Sequence, residues 1–330
     1  MVKAKEIEGL DCGARASQGI RLVLLTRLEE VREQREAALD TRSEDGIHDM
    51  RVASRRLRSA VRDFRPHMRG GRRLEEARAD LKRLADALGA VRDEDVAIGA
   101  LEKLSEEEAG ETGEGLKLFA DERRARRARA RAALLLELDA DTFDAAHERV
   151  AAAFERATEP RKKDGEGEES FGELGRAVIL RLWEELRGRG ADIYRPLKSK
   201  RLHKIRIAAK RLRYALELFS ACFGEGVKEL AKELAEMQKA LGNLHDCDEW
   251  IEECGDYLSR RDSGAQDYAG VPALERRAAA FRLLEHFLAR RDSDYAEALA
   301  IWHRWEHDDF GARLVGSLDA VVVEQSGGHA

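Results

Sequence analysis

The sequence predicts an all-α protein built as two tandem helical bundles of four to five helices each, and three observations carry that prediction. Helical periodicity runs almost unbroken along 330 residues, with strand-like stretches absent apart from the short run Ala320 to Val323. Only 4 prolines interrupt a composition that is 38% charged and rich in Ala, Leu, Glu and Arg, the mixture of long helices. The third observation is a repeat. Ile47 to Phe64, IHDMRVASRRLRSAVRDF, returns 155 residues later as Leu202 to Phe219, LHKIRIAAKRLRYALELF.

Taken in order, residues 1–13 form an N-terminal segment and the first helix runs from about Ala14 to Leu39. Thr41-Arg42-Ser43-Glu44 offers capping-box chemistry before a second helix, which carries the first copy of the repeat and stops near Arg65, ahead of Pro66. Further helices follow over about 71–104, 115–138 and 142–157, closing a first bundle at 14–157. The Gly- and Glu-rich stretch 158–170 reads as a linker. The series then recurs over about 171–187, 199–222, 227–260, 273–291 and 295–307, a second bundle at 171–307. Residues 308–330 read as a flexible tail.

Wound at about 100° per residue, each copy of the repeat has an apolar arc and, opposite it, a column of cations. In the first copy Met50, Ala53, Leu57, Ala60, Val61 and Phe64 face inward, while His48, Arg51, Arg55, Arg58 and Arg62 share the outer arc. In the second, Ile205, Ala208, Leu212, Ala215, Leu216 and Phe219 face inward, with His203, Arg206, Lys210 and Arg213 outside. Glu217, standing where Arg62 stands, breaks the second column. Surface charge without a job need not keep its register, so a column repeated in both halves points to a polyanion.

A second motif also recurs, Leu88-Gly89 to Asp93 and Asp95 in the first half and Leu241-Gly242 to Asp246 and Asp248 in the second. Steps of three and four place Asp95 and Asp248 in the apolar stripe, where a carboxylate must be paired, and helix orientation nominates Arg56 and Arg211 as partners. Gly89 and Gly242 each cost their helix about 1 kcal/mol relative to Ala, which implies close packing of a neighbouring helix.

The net charge is −6, so the positive charge is local: Arg195 to Arg213 holds nine Lys or Arg and no acid. A third basic run, Arg123 to Arg131, reads as solvated or paired with the Glu-rich helix before it. His48 and His203 have no partner at helical spacing, and His303 and His307 lack a third ligand, so no metal site is expected. Phosphate-binding Gly-rich loops, Ser-His-Asp sets and zinc-like Cys clusters are missing from the sequence, so neither a cofactor nor catalysis is expected. Four cysteines without paired spacing, no leader-like start and no apolar run near ~20 residues predict a cytoplasmic protein free of membrane.

A histidine followed by a regularly spaced Arg/Lys helix, with Leu-Gly-x-x-x-Asp in the next helix, twice over, resembles the CHAD family, the conserved histidine α-helical domain. The likeness spans about Ala14 to His307. It implies two bundles related by pseudo-twofold symmetry, with the basic helices facing a central cleft. It also implies binding of inorganic polyphosphate and association with polyphosphate granules. His48, Arg51, Arg55 and Arg58 match the family pattern in the first half, and His203, Arg206, Lys210 and Arg213 in the second; Arg62 against Glu217 implies unequal halves. Many relatives also carry a CYTH triphosphatase domain, whose Glu-x-Glu-x-Lys signature is not completed by Glu6-Ile7-Glu8-Gly9-Leu10, so a stand-alone binding domain is expected. A nucleic-acid binder is the alternative, weakened because the columns lack interleaved aromatics for base stacking. An enzyme acting on phosphoanhydrides comes third.

Overall fold

The structure is a computed structural model, and it describes residues 5, 7–40, 45–108, 110–159, 169–259 and 273–326. The chain is all-α: the described residues form eleven helices, and the sole β feature among them is an isolated bridge between Arg15 and Ser170. The helices are α1 (Ala16–Glu33), α2 (Arg35–Leu39), α3 (Asp45–Phe64), α4 (Arg72–Glu107), α5 (Gly110–Glu137) and α6 (Ala140–Ala157), then α7 (Phe171–Arg187), α8 (Ser199–Phe223), α9 (Glu225–Ser259), α10 (Ala273–His307) and α11 (Phe310–Ser326).

They form two compact units. One comprises Met1–Gly99 and Asp121–Gly175, the other Ala100–Ala120 and Arg176–Ala330. The sequence repeat and the compact units therefore divide the chain differently at residues 100–120, the far ends of α4 and α5. Their apolar side chains explain the grouping: Leu101, Leu104, Leu116 and Ala120 are buried in one cluster with Cys247, Cys254, Ala279, Leu283 and Phe287.

In the first unit α3 packs on α1 and α2, and α1 also packs on α6. The apolar arc of α3 is buried, with Met50, Leu57 and Phe64 fully so, and burial extends beyond it to Val52, Ser54, Ser59 and Asp63. A Cβ at Gly46 would lie 2.0 Å from the Ala37 carbonyl oxygen, so only glycine lets α2 and α3 meet there. Pro66 ends α3 by turning Arg65–His67 into a single 3₁₀ turn. In the second unit α8 packs on α9, α9 on α10, and α11 on both α8 and α9. Gly224, with φ of 75°, terminates α8 in a conformation other residues adopt at a cost.

Three expectations change. The predicted break between 291 and 295 is absent, because Asp294 is buried and accepts from Asn243 Nδ2 at 3.2 Å, and Tyr295 donates to the Ile193 carbonyl at 3.0 Å. Those contacts satisfy the polar residues that looked like a turn. The predicted flexible tail contains α11, whose Phe310, Leu314 and Leu318 recur every four residues and are buried. Cys247 and Cys254 are buried thiols, whereas Cys12 and Cys222 are disulfide-bonded, which their spacing did not suggest. The capping box at Thr41 to Glu44 and linker residues 160–168 lie outside the described residues.

Candidate polyanion-binding columns

Each basic column is set on a long amphipathic helix whose opposite face is fully committed to the core, so its cations have one direction to take. On α3, Arg58 and Arg62 are exposed, and His48, Arg51 and Arg55 are half-buried. On α8, His203, Arg206 and Lys210 are half-buried. The half-burial has a common cause in the two halves. The Arg51 side chain crosses α4 at Gly89, where an added Cβ would sit 3.9 Å from its Nε; Arg206 crosses α9 at Gly242 with 3.7 Å. The glycine of each Leu-Gly motif is thus a seat for the leading arginine of a column.

This corrects the reason given for the glycines. They face an arginine stem, not a neighbouring helix pressed too close for a side chain, and the separations are ordinary van der Waals contacts. Gly89→Ala and Gly242→Ala are therefore expected to stabilise the fold by up to about 1 kcal/mol each, from helix propensity. Thermal unfolding of the single variants checks this, and a lower midpoint would mean that the seat is tighter than these distances allow.

The far ends of the columns do not behave as the sequence predicted. Arg213 is only 4% exposed, lies over the Tyr214 ring with Cζ 4.9 Å from its centroid, and pairs with Glu217 at 3.4 Å. The Glu that replaces Arg62 thus also draws Arg213 away from the outer face. In the first half Arg62 bonds to Ser59 Oγ at 2.8 Å and pairs with buried Asp63 at 3.4 Å. A carboxylate one turn or less away thus meets the last cation of each column, Arg62 in one and Arg213 in the other. Arg51 also meets the exposed Asp93 at 3.2 Å, a surface pair of small net value.

Two residues that sequence reasoning passed over join the columns. Arg92 and His245 occupy the same place in the repeated motif, three residues after the seating glycine and so on the same side of the helix. Arg92, with Arg55, acts on His48, whose pKa is held below the ordinary imidazole value first by burial and then by these cations. In the second unit His203 and His245 face each other with ring centroids 4.2 Å apart. Burial lowers both, and His245, Arg206 and Lys210 lower His203 further, while Arg206 acts on His245. The signal in the sequence was the shared offset from Gly89 and Gly242.

The aspartates of the stripe are paired, but not with the arginines that helix orientation nominated. Asp95 is bonded to Arg127 of α5, and Asp248 to Arg291 of α10 at 2.6 Å. Arg211 instead donates to Glu185 at 2.6 Å, and Arg56 is half-buried on α3. The basic run on α5 is partly structural: Arg123 pairs with Glu94 at 3.3 Å, and Arg131 donates to the Ala38 and Leu39 carbonyls at 2.7 and 2.8 Å. Among the described residues no group of three His, Cys, Asp or Glu is placed to hold a metal, and no helix is long and apolar enough to cross a membrane.

The chain belongs to the CHAD domain family, whose sequence pattern matches residues 22–255. It is similar to the crystal structure of the CHAD domain from the plant Ricinus communis, with a TM-score of 0.70 and 24% identity over 92% of this chain and 96% of that one. It is also similar to PptA from Streptomyces chartreusis, with a TM-score of 0.62 and 16% identity over 88% of this chain and 100% of that one. No curated protein sequence matches it. At identities this low the two structures speak for the fold.

Proposed function

We propose that the protein binds inorganic polyphosphate through Arg51, Arg55 and Arg58 on α3 and Arg206 and Lys210 on α8, with His48 and His203 at the head of each column, and that it does so without turnover. The observation that carries the reading is the repeated seat: in both halves a leading arginine crosses the glycine of a Leu-Gly motif and heads a row of cations. Membership of the CHAD family supports the same ligand. A flexible chain of phosphates carries about one charge per unit and no sequence, so it suits rows of cations at helical spacing. The family resemblance further implies that one chain engages both columns and that the protein associates with polyphosphate granules. Tyr214, the ring beside the second column, is buried beneath Arg213, and Phe64 and Phe219 of the two repeats are buried in the core, so none offers a face to a base, which weighs against single-stranded nucleic acid.

Calorimetry with long-chain polyphosphate, single-stranded DNA and ATP at matched phosphate concentration, with phosphate release followed in parallel, tests the reading. Tight binding selective for polyphosphate without release is expected. Equal affinity for DNA would move the assignment to nucleic acid, and metal-dependent phosphate release would make the protein an enzyme.

A further inference from the structure

We propose that His203 and His245 form a proton-linked subsite of the second column, so that polyphosphate binding takes up protons and affinity falls as the solution turns alkaline; this rests on the polyphosphate reading above. The geometry comes first. The two rings belong to different helices, α8 and α9, yet stand 4.2 Å apart, and His203 Nδ1 is buried without a hydrogen-bond partner. Arg206 crosses the same stretch of α9 at Gly242, one turn before His245.

Around the pair, α8 supplies the cations of Arg206 and Lys210, and α9 supplies the carboxylates of Asp246, Asp248 and Glu249. Glu249 Oε1 is 3.4 Å from His245 Nε2 but is exposed, and Asp248 is already held by Arg291 of α10. Burial and the neighbouring cations therefore dominate, and both imidazoles are harder to protonate than in water.

Phosphate oxygens entering this cluster reverse the balance, because they place negative charge where cations and a second imidazole had opposed a proton. Binding then raises the pKa of each imidazole it contacts. By linkage, protonation must strengthen binding to the same extent. The sign follows: the gain is complete at pH below the free-state values and is lost as pH rises through the bound-state values. The first half is built differently. Arg92 stands where His245 stands, so His48 faces a permanent cation and the first column has one imidazole in place of two.

That difference supplies the variants. His245→Arg gives the second half the permanent cation of the first, and Arg92→His does the converse. Each protein is titrated with long-chain polyphosphate, whose few chain ends contribute little titration of their own, between pH 5.5 and 8.5 at fixed ionic strength. Buffers of different ionisation enthalpy report the protons taken up. Wild type is expected to bind about tenfold more weakly at the alkaline end for each imidazole whose proton is held tenfold tighter in the complex. It should take up protons on binding near neutral pH. His245→Arg should lose less affinity than wild type at pH 8.5 and take up fewer protons, and Arg92→His should show a steeper pH dependence than wild type. Far-ultraviolet melts confirm folding; should His245→Arg fail to fold, His245→Gln removes one titrating group without adding charge and should also take up fewer protons than wild type. Flat affinity with no proton uptake, while polyphosphate still binds, overturns the proton link and leaves the polyphosphate reading standing. No polyphosphate binding at any pH overturns both.

Discussion

Changing Arg51, Arg55, Arg206 and Lys210 to Gln is expected to abolish most of the salt dependence of polyphosphate binding while leaving the fold intact. With five engaged cations, Arg58 included, log K should fall with log[salt] at a slope of about −3.5, taking about −0.7 per contact from single-stranded nucleic acid. Wild type would then lose about a hundredfold in affinity between 50 and 200 mM salt, and the quadruple variant under about threefold. Glutamine keeps helix propensity and most of each stem, so the melting midpoint should move little. At pH 8 the imidazoles contribute least, which isolates the fixed charges.

The control must remove four charges elsewhere, and the structure decides which. Arg127 is excluded because it holds Asp95. Arg73, Arg124, Arg126 and Arg129 are exposed and lie outside both columns, so their replacement by Gln lowers net charge equally. It should change the slope far less. Equal losses in the two quadruple variants would mean that binding follows overall charge, and the two-column site would be wrong.

What the sequence made legible, and what it did not, follows from the range of the interactions concerned. Helix positions and the inward faces of α3 and α8 were readable because amphipathic period is a local property, and Met50, Leu57, Ile205 and Leu212 are buried as the period requires. The fate of the column ends was not. Arg58 and Arg213 occupy equivalent places in the repeat, yet Arg58 is exposed and Arg213 buried, because Tyr214 and Glu217 give Arg213 partners that Ser59 and Arg62 do not offer at the same offsets. Substitutions beside a conserved-looking position thus changed its role. The continuity of α10 through Asp292-Ser293-Asp294 depended on Asn243, 51 residues away, and no local rule sees that bond. The helix α11 was readable from Phe310, Leu314 and Leu318, but Gly311 and Gly316 masked it. Gly311 is packed on Trp183, where a Cβ would stand 3.2 Å from the indole.

The pairing of Asp95 shows the same limit and leads to the second large effect. Arg123 to Arg131 holds several arginines within two turns, and only tertiary structure selects Arg127 for Asp95. The Asp95 side chain is 1% exposed and that of Arg127 32%, so the two partners are not equivalent. Removing Asp95 leaves a cation that can turn to water, whereas removing Arg127 leaves a carboxylate with nowhere to go. Arg127→Ala should therefore cost about 3–5 kcal/mol and Asp95→Ala distinctly less. In the second unit the partners are about equally buried, and Arg291 also donates to the Pro196 carbonyl at 2.6 Å, so Arg291→Ala should cost at least as much as Asp248→Ala.

Acid distinguishes a stranded carboxylate from simple loss of packing. Without Arg127 the carboxylate of Asp95 is buried without a counter-charge, and acid that neutralises it relieves the folded variant. Its deficit relative to wild type should therefore narrow between pH 7 and pH 4, and chemical denaturation at several pH values measures it. Polyphosphate affinity of the folded fraction should be unchanged, since Arg51 and Arg55 keep their places on α3. If Arg127→Ala instead melts like wild type and loses polyphosphate, Arg127 and Asp95 belong to the binding site and the columns on α3 and α8 are not the whole of it.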